Sequence, residues 1–82
     1  MVLLAAPGSG AVAFVASRKV GGAARRNRAR RILRAAWREL GPRMLEHHDV
    51  AFVARPTIRG AKTHELMAEM EELLQRARVT AR

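Results

Sequence analysis

The sequence predicts a small α+β domain, a two-layer sandwich with the element order β-β-α-β-α. Three apolar runs of strand length, each bounded by turn residues, predict strands at residues 2–6, 11–17 and 49–55. Two longer segments carry apolar residues at helical spacing and predict helices. Because the chain has 82 residues and no cysteine, we expect a single domain with a thin core, without disulfides or thiolate metal sites.

The first two strands are separated by Pro7-Gly8-Ser9-Gly10, a cluster of turn residues. A connection this short predicts a β-hairpin formed by the two strands. Both faces of the second strand are apolar, with Val12 and Phe14 on one side and Ala13 and Val15 on the other. We therefore expect both faces of the hairpin to be covered.

The segment from Arg18 to Arg38 contains no acidic residue and carries the whole formal charge of +9, since basic and acidic residues cancel in the rest of the chain. Its nine basic residues are Arg18, Lys19, Arg25, Arg26, Arg28, Arg30, Arg31, Arg34 and Arg38. So concentrated a charge repels itself in a folded state and indicates a polyanionic partner. Fourteen of the sixteen basic residues in the chain are arginines, whose guanidinium groups match phosphate geometry.

The same segment is amphipathic. Arg26, Arg30, Arg34 and Arg38 form an i+4 ridge, and Gly41-Pro42 predicts the end of the helix. The apolar stripe beside the ridge consists of Ala29, Ile32, Leu33, Ala36, Trp37 and Leu40. This pattern favours a helix that contacts RNA or DNA over a merely solvated helix face.

The helix starts between Ala23 and Asn27. Asparagine is a poor residue for a helix interior, so Asn27 is either the N-cap or a polar contact residue.

The third strand is closed by Pro56. Thr63 is the predicted N-cap of the last helix, and Glu72 and Arg76 form an i,i+4 pair along that helix. The apolar stripe of that helix, expected to pack on the sheet, is Leu66, Met67, Met70, Leu73, Leu74 and Ala77.

No constellation of catalytic or metal-binding residues is apparent. The histidines, His47, His48 and His64, are interpreted as surface residues, and Asp49 is the only aspartate. No carboxylate pair suggests metal-assisted hydrolysis. We therefore expect no catalysis by this chain alone and no metal bound to it. The apolar run at residues 2–6 is too short for a signal peptide or membrane span, which makes a cytoplasmic location the expectation.

The run from Ser17 to Arg34, Ser-Arg-Lys-Val-Gly-Gly-Ala-Ala-Arg-Arg-Asn-Arg-Ala-Arg-Arg-Ile-Leu-Arg, resembles the signature of the bacterial ribonuclease P protein component. That family has a strand ending in Ser-Lys-Lys-Val-Gly, then a basic helix containing Arg-Asn-Arg. Here residues 26–28 match the Arg-Asn-Arg core, and Arg30, Arg31 and Arg34 match the basic positions that follow.

The resemblance implies a subunit of an endoribonuclease that removes the 5′ leader of precursor tRNA, with a catalytic RNA performing the chemistry through Mg²⁺. The implied RNA-contact set is Arg18, Lys19, Arg25, Arg26, Asn27, Arg28, Arg30, Arg31 and Arg34. The leader would lie on the sheet, near Phe14 and Phe52, because single strands stack on aromatic rings. Both phenylalanines could instead be core residues.

The resemblance also bears on topology. In this family the strand-helix-strand crossover is left-handed, against the usual right-handed rule, as in the related ribosomal-protein domain fold. Family members begin with a helix and a strand that precede the strand seen here at Val2. Without them, we expect an open sheet edge, a partly open sheet face and self-association.

Two other functions compete with this interpretation. A small basic ribosomal or nucleic-acid-binding accessory protein would use the same helix without a role in processing. A self-sufficient nuclease would need catalytic carboxylates, which the sequence does not offer.

Overall fold

The computed structural model describes residues 1–41, 45 and 47–79, and of Arg59 only the backbone. Its elements in chain order are β1 (Val2–Pro7), β2 (Val12–Ala16), α1 (Ala23–Leu40), β3 (His48–Ala54), a 3₁₀ turn (Pro56–Gly60) and α2 (Thr63–Ala77). The predicted α+β order is thus confirmed, with strand bounds close to those expected.

The central strand of the sheet is the last one in sequence. The order is β1-β3-β2, with β1 antiparallel and β2 parallel to β3. Leu3 and Phe14 both lie opposite Phe52, one on each side. The predicted hairpin is therefore wrong, because β1 and β2 do not pair with each other and both pair with β3.

A carboxylate on β3 explains why the short connection does not make a hairpin. The backbone N–H groups of Ser9, Gly10 and Ala11 donate to one oxygen of Asp49 at 3.0, 3.0 and 2.8 Å. A Cβ atom at Gly8 would lie 2.1 Å from that carboxyl group, so only glycine fits there. The connection is thereby held across the start of β3, and it delivers β2 to the far side of that strand.

The helix α1 makes the crossover between two parallel strands, β2 and β3. Parallel neighbours require such a connection, and a helix is its usual form. The crossover itself is as expected, and its left-handed sense stays a prediction.

Both helices cover the same face of the sheet. Helix α1 buries Leu33 and Trp37, and α2 buries Met70 and Leu74, all in one cluster with Phe52. The other buried members are Ala16, Val20, Ala29, Ala36, Leu45, Val50, Ala54, Ile58, Leu66 and Val79. Helix α2 packs against α1 as well as β1, so its stripe faces the core of the domain as predicted, except for Ala77, which is exposed.

The opposite face is covered by neither helix. On this face, side chains of paired residues form rows across the three strands, and one such row consists of Leu4, Ala51 and Ala13. Leu4 is 57% exposed and Val15 is 41% exposed, and a shallow depression of about 310 Å³ lies along the Leu4 row. The expectation that both faces are covered is thus wrong for the described residues, whereas an open sheet face is present.

Of the predicted helix ends, the end of α1 at Gly41 is confirmed and the N-cap of α2 is wrong. Helix α1 stops at Leu40, and Gly41, at φ 85°, donates its N–H to the Arg38 carbonyl at 3.2 Å. Pro42, the second half of the predicted stop signal, lies outside the described residues. Helix α2 already includes Thr63, so Lys62 takes the N-cap position, and the predicted Thr63 cap is wrong.

Candidate nucleic-acid interface

A tight turn carries the first two basic residues out of β2. Val20 donates its N–H to the Ser17 carbonyl at 3.0 Å, and Gly21 donates to the Arg18 carbonyl at 3.1 Å. The Val20 side chain is only 1% exposed and anchors the turn in the core. Arg18 and Lys19 are consequently displayed to solvent.

Gly21 allows Arg25 to pack back against this turn. The backbone of Gly21 has φ 144°, a conformation that favours glycine, and a Cβ atom there would lie 2.6 Å from Cδ of Arg25. The aliphatic stem of Arg25 therefore occupies the space that a side chain at residue 21 would need.

The N-terminal end of α1 concentrates positive potential. The helix begins at Ala23 after Gly22, its first turn contains no acidic residue, and Arg25, Arg26 and Arg28 follow. Unpaired N–H groups already give a helix N-terminus a partial positive charge, which cations there oppose rather than complement. This arrangement disfavours the isolated fold and attracts anions.

Asn27 lies inside the helix, and the alternative that it caps the N-terminus is wrong. Its side-chain oxygen accepts a hydrogen bond from Nη2 of Arg30, one turn later. Asn27 and Arg31 are exposed on the polar side of the helix. The asparagine thus contacts an arginine on the polar side of the helix, and its role as a polar contact residue stays a prediction.

The predicted i+4 ridge exists. Arg26 and Arg30 are half-buried, while Arg34 and Arg38 are exposed. The Arg34 guanidinium lies 5.6 Å from the centre of the Phe14 ring, a cation–π contact that places the ridge beside the edge strand β2. The Nε atom of Arg26 is buried without a hydrogen-bond partner.

Among the described residues, the charge of this surface is not neutralised by carboxylates. Over the ranges that the structure describes, no carboxylate forms an ion pair with any of the nine basic residues between Arg18 and Arg38. Helix α2 differs, because Arg76 pairs with Glu72 at 2.7 Å, as the sequence predicted. We call the surface formed by these nine residues the basic surface.

The two phenylalanines differ in exposure. Phe52 is fully buried, with the Phe14 ring stacked at 6.2 Å and the Trp37 ring tilted at 5.5 Å between centroids. The core alternative therefore holds for Phe52, which has no exposed ring to offer to a base. Phe14 is half-buried, on the same helix-covered face and beneath Arg34.

The histidines lie where surface residues are expected: His47 and His64 are exposed and His48 is half-buried. Among the described residues, no three histidine or acidic side chains come together as a metal site would require. Neither helix of the described residues is long and apolar enough to cross a membrane.

One part of the interface was missed from the sequence. Ile58, in the 3₁₀ turn, lies beside Ala29 and Ile32 of the basic helix. No local signal in the sequence predicts that these residues line one pocket, because they are far apart in sequence and are brought together by the packing of the whole domain. Gly21-Gly22 was read only as a strand break, yet the first of these glycines places Arg25.

Fold and surface together define a small basic α+β protein that displays an arginine-rich helix. The family model described as Ribonuclease P matches residues 1–78. The chain belongs to this family.

Curated relatives named ribonuclease P protein component support the assignment. The chain is 38% identical to the Dehalococcoides mccartyi protein over 71 residues, which cover 87% of this chain and 58% of that one. It is 45% identical to the Chloroflexus aurantiacus protein over 65 residues, which cover 78% and 48%. The chain thus spans about half the length of the curated relatives it matches.

Solved structures share the fold. The Staphylococcus aureus RNase P protein superposes with a TM-score of 0.62 at 23% identity, covering 85% of this chain and 63% of that one. A mutant of the S. aureus protein described as defective in mRNA degradation activity gives a TM-score of 0.70 at 20% identity, with 94% and 68% coverage. The three-stranded mixed sheet with two helices therefore matches the fold of these solved structures over the part of each that the chain covers.

Proposed function

We propose that this chain acts in the cytoplasm as the protein subunit of ribonuclease P. In this role the single domain of residues 1–82 binds the catalytic RNA and precursor tRNA and assists removal of the 5′ leader. The catalytic RNA performs the hydrolysis through its own Mg²⁺. This chain contributes a positively charged surface that binds the two RNAs.

The observation that carries this proposal is the basic surface. It joins nine cations on one turn and one helix, without an internal counter-charge among the described residues. Phosphates supply the missing charge, and guanidinium groups bind them in a bidentate manner. The proposed RNA contacts are Arg18, Lys19, Arg25, Arg26, Asn27, Arg28, Arg30, Arg31 and Arg34.

We propose that the leader contacts the sheet, and we take the burial of the sheet's side chains into account in choosing the face. Phe52 is enclosed in the core and Phe14 is half-buried beneath Arg34. The uncovered face, with Leu4 and Val15, is the part of the sheet that remains accessible. We propose that a leader bound there contacts aliphatic side chains, with Phe14 as a contact only at the edge of β2.

Reconstitution with a bacterial ribonuclease P RNA tests the proposal. The protein alone, with Mg²⁺, should leave precursor tRNA intact. Added to the catalytic RNA, it should raise the rate of 5′ processing above that of the RNA alone at the same Mg²⁺ concentration. Cleavage by highly purified protein without RNA, or no effect on the RNA-catalysed rate, would refute the proposed role.

The competing function is that of a basic accessory protein without a role in processing. Such a protein would bind structured RNA through the same helix and leave the RNA-catalysed rate unchanged. The reconstitution assay therefore separates the two functions, provided that binding to the catalytic RNA is measured in the same samples.

A further inference from the structure

A small pocket opens beside the N-terminal half of the basic helix. Its volume is about 190 Å³, and it lies between the turn after β2, the first turns of α1 and the 3₁₀ turn. The lining residues are Val20, Arg25, Arg28, Ala29, Ile32 and Ile58. Pockets for drug-sized ligands measure roughly 300–1,000 Å³, so this pocket suits a smaller group.

The floor of the pocket is apolar and preformed. Val20, Ala29 and Ile58 are buried members of the core, and Ile32 is half-buried at the side. The turn hydrogen bonds fix Val20, and the bond from the Ile58 N–H to the Arg55 carbonyl at 2.9 Å fixes the 3₁₀ turn. A flat apolar group can enter without rearranging the backbone.

The rim of the pocket is cationic. Arg25 and Arg28 are exposed there, and the aliphatic stem of Arg25 lies against Gly21. Guanidinium groups bind phosphate oxygens and also stack on the faces of bases. An apolar floor below two arginines complements a flat ring attached to an anionic chain. A nucleobase with its flanking phosphates is such a group.

We propose that this pocket takes one unstacked nucleobase of the bound RNA, while Arg25 and Arg28 hold the phosphates on either side. RNA-binding proteins commonly recognise bases that are splayed out from loops, bulges and single strands. The inference rests on the proposed function, in which α1 contacts RNA. It adds to that contact a component that depends on a base rather than on phosphate charge alone.

The chain offers an unusually selective probe for this site. Its two isoleucines, Ile32 and Ile58, both line the pocket, and the sequence contains no other isoleucine. Labelling the Ile δ1 methyl groups of the whole chain therefore gives a methyl NMR spectrum that reports on the pocket. The ligands to compare are a short oligoadenylate and an abasic oligomer with the same number of phosphates.

Both oligomers should bind with similar salt dependence, as measured by fluorescence anisotropy. Only the oligoadenylate should move both isoleucine signals, because only a base brings an aromatic ring current to the pocket. Isoleucine signals that stay in place while oligoadenylate binds would overturn the inference. Equal shifts with the abasic oligomer would also overturn it.

A pocket-filling variant gives an independent test. Ala29→Leu places extra carbon atoms in the pocket, and Ala24→Leu adds the same atoms at an exposed position of the same helix. Ala29→Leu should weaken oligoadenylate binding about tenfold, in line with the loss of one stacked base, and leave abasic binding unchanged. Ala24→Leu should alter neither. Unaltered oligoadenylate affinity in folded Ala29→Leu would overturn the inference.

Circular dichroism establishes whether Ala29→Leu folds. If the variant does not fold, the methyl experiment on the unmodified chain alone tests whether the pocket binds a base. Salt-dependent binding of both oligomers with unmoved isoleucine signals would reject the pocket and leave the proposed function standing. Failure of both oligomers and of structured RNA to bind would reject the two together.

Discussion

At the scale of single residues, Asp49 decides the topology that the sequence did not predict. Its carboxylate accepts hydrogen bonds from the N–H groups of Ala11, Ser9 and Gly10 and fixes the connection from β1 to β2 across the start of β3. The N–H of Ala11 does most to lower the pKa of this carboxyl, partial desolvation opposes the shift, and the other two N–H groups add to it. The folded chain therefore favours the ionised form.

Asp49→Asn should lower the melting temperature at neutral pH, because a neutral oxygen accepts these hydrogen bonds less strongly than a carboxylate. Since the folded-state pKa lies below the ordinary value of 3.8, ionised Asp49 stabilises the fold above that pH. The contribution is lost as the pH falls through the folded-state pKa.

Thermal unfolding at pH 7 and near pH 3 checks this expectation. The difference in melting temperature between the unmodified chain and Asp49→Asn should shrink at the lower pH. Glu72→Gln, which removes an exposed carboxylate on α2, serves as the control and should have little effect. A difference that does not change with pH would show that the charge of Asp49 is unimportant.

Gly8→Ala should also destabilise the fold, since its Cβ atom would lie 2.1 Å from the Asp49 carboxyl group. Gly60→Ala is the matched control, because a Cβ atom there meets nothing within 4 Å and its φ is not positive. It should be neutral or stabilise by about 0.4–1 kcal/mol through the unfolded state. Denaturant unfolding of both variants measures the contrast, and equal stabilities would contradict the account that the Asp49 carboxyl group holds the connection between β1 and β2.

At the scale of elements, the helices and strands were predictable because their signals are local. The stripe from Ala29 to Leu40 is buried or half-buried throughout, and Gly41 ends the helix as expected. Strand order was not predictable in this way. Turn residues at 7–10 are typical of a hairpin, and only the long-range pairing of both strands with β3 shows that β3 lies between them.

The basic surface was predictable residue by residue, because charge and helical period are both visible in the sequence. Its surroundings were not. Burial of Phe52 and the placement of Ile58 beside Ala29 depend on how the helices pack on the sheet. The interpretation of Phe52 as a stacking platform failed for this reason, since an apolar aromatic residue on a strand fits either face.

At the scale of the whole molecule, one face of the sheet lies open among the described residues. Leu4 and Val15 expose large apolar side chains on a face that neither helix covers. Both outer strands, β1 and β2, pair on one side only within the described sheet. Exposed apolar faces and unpaired edges promote association between chains.

The double variant Leu4→Thr, Val15→Thr should reduce self-association, because threonine keeps the preference for strand structure while making the face more polar. Sedimentation velocity over a range of protein concentrations measures the effect. Ala24→Ser, at an exposed position on α1, is the control and should associate like the unmodified chain. A monomeric unmodified chain at all concentrations would contradict this account of the face.

The salt dependence of RNA binding tests the central claim, that the basic surface binds phosphates, most directly. If about five phosphates are neutralised, the logarithm of the binding constant should fall against the logarithm of salt concentration with a slope of roughly −3.5 to −4.5. Replacing Arg26, Arg30 and Arg34 with alanine should flatten the slope by about two. The control replaces Arg55, Lys62 and Arg76, which removes the same charge elsewhere, and should keep the original slope. An unchanged slope in the helix variant, or equal flattening in the control, would contradict the claim.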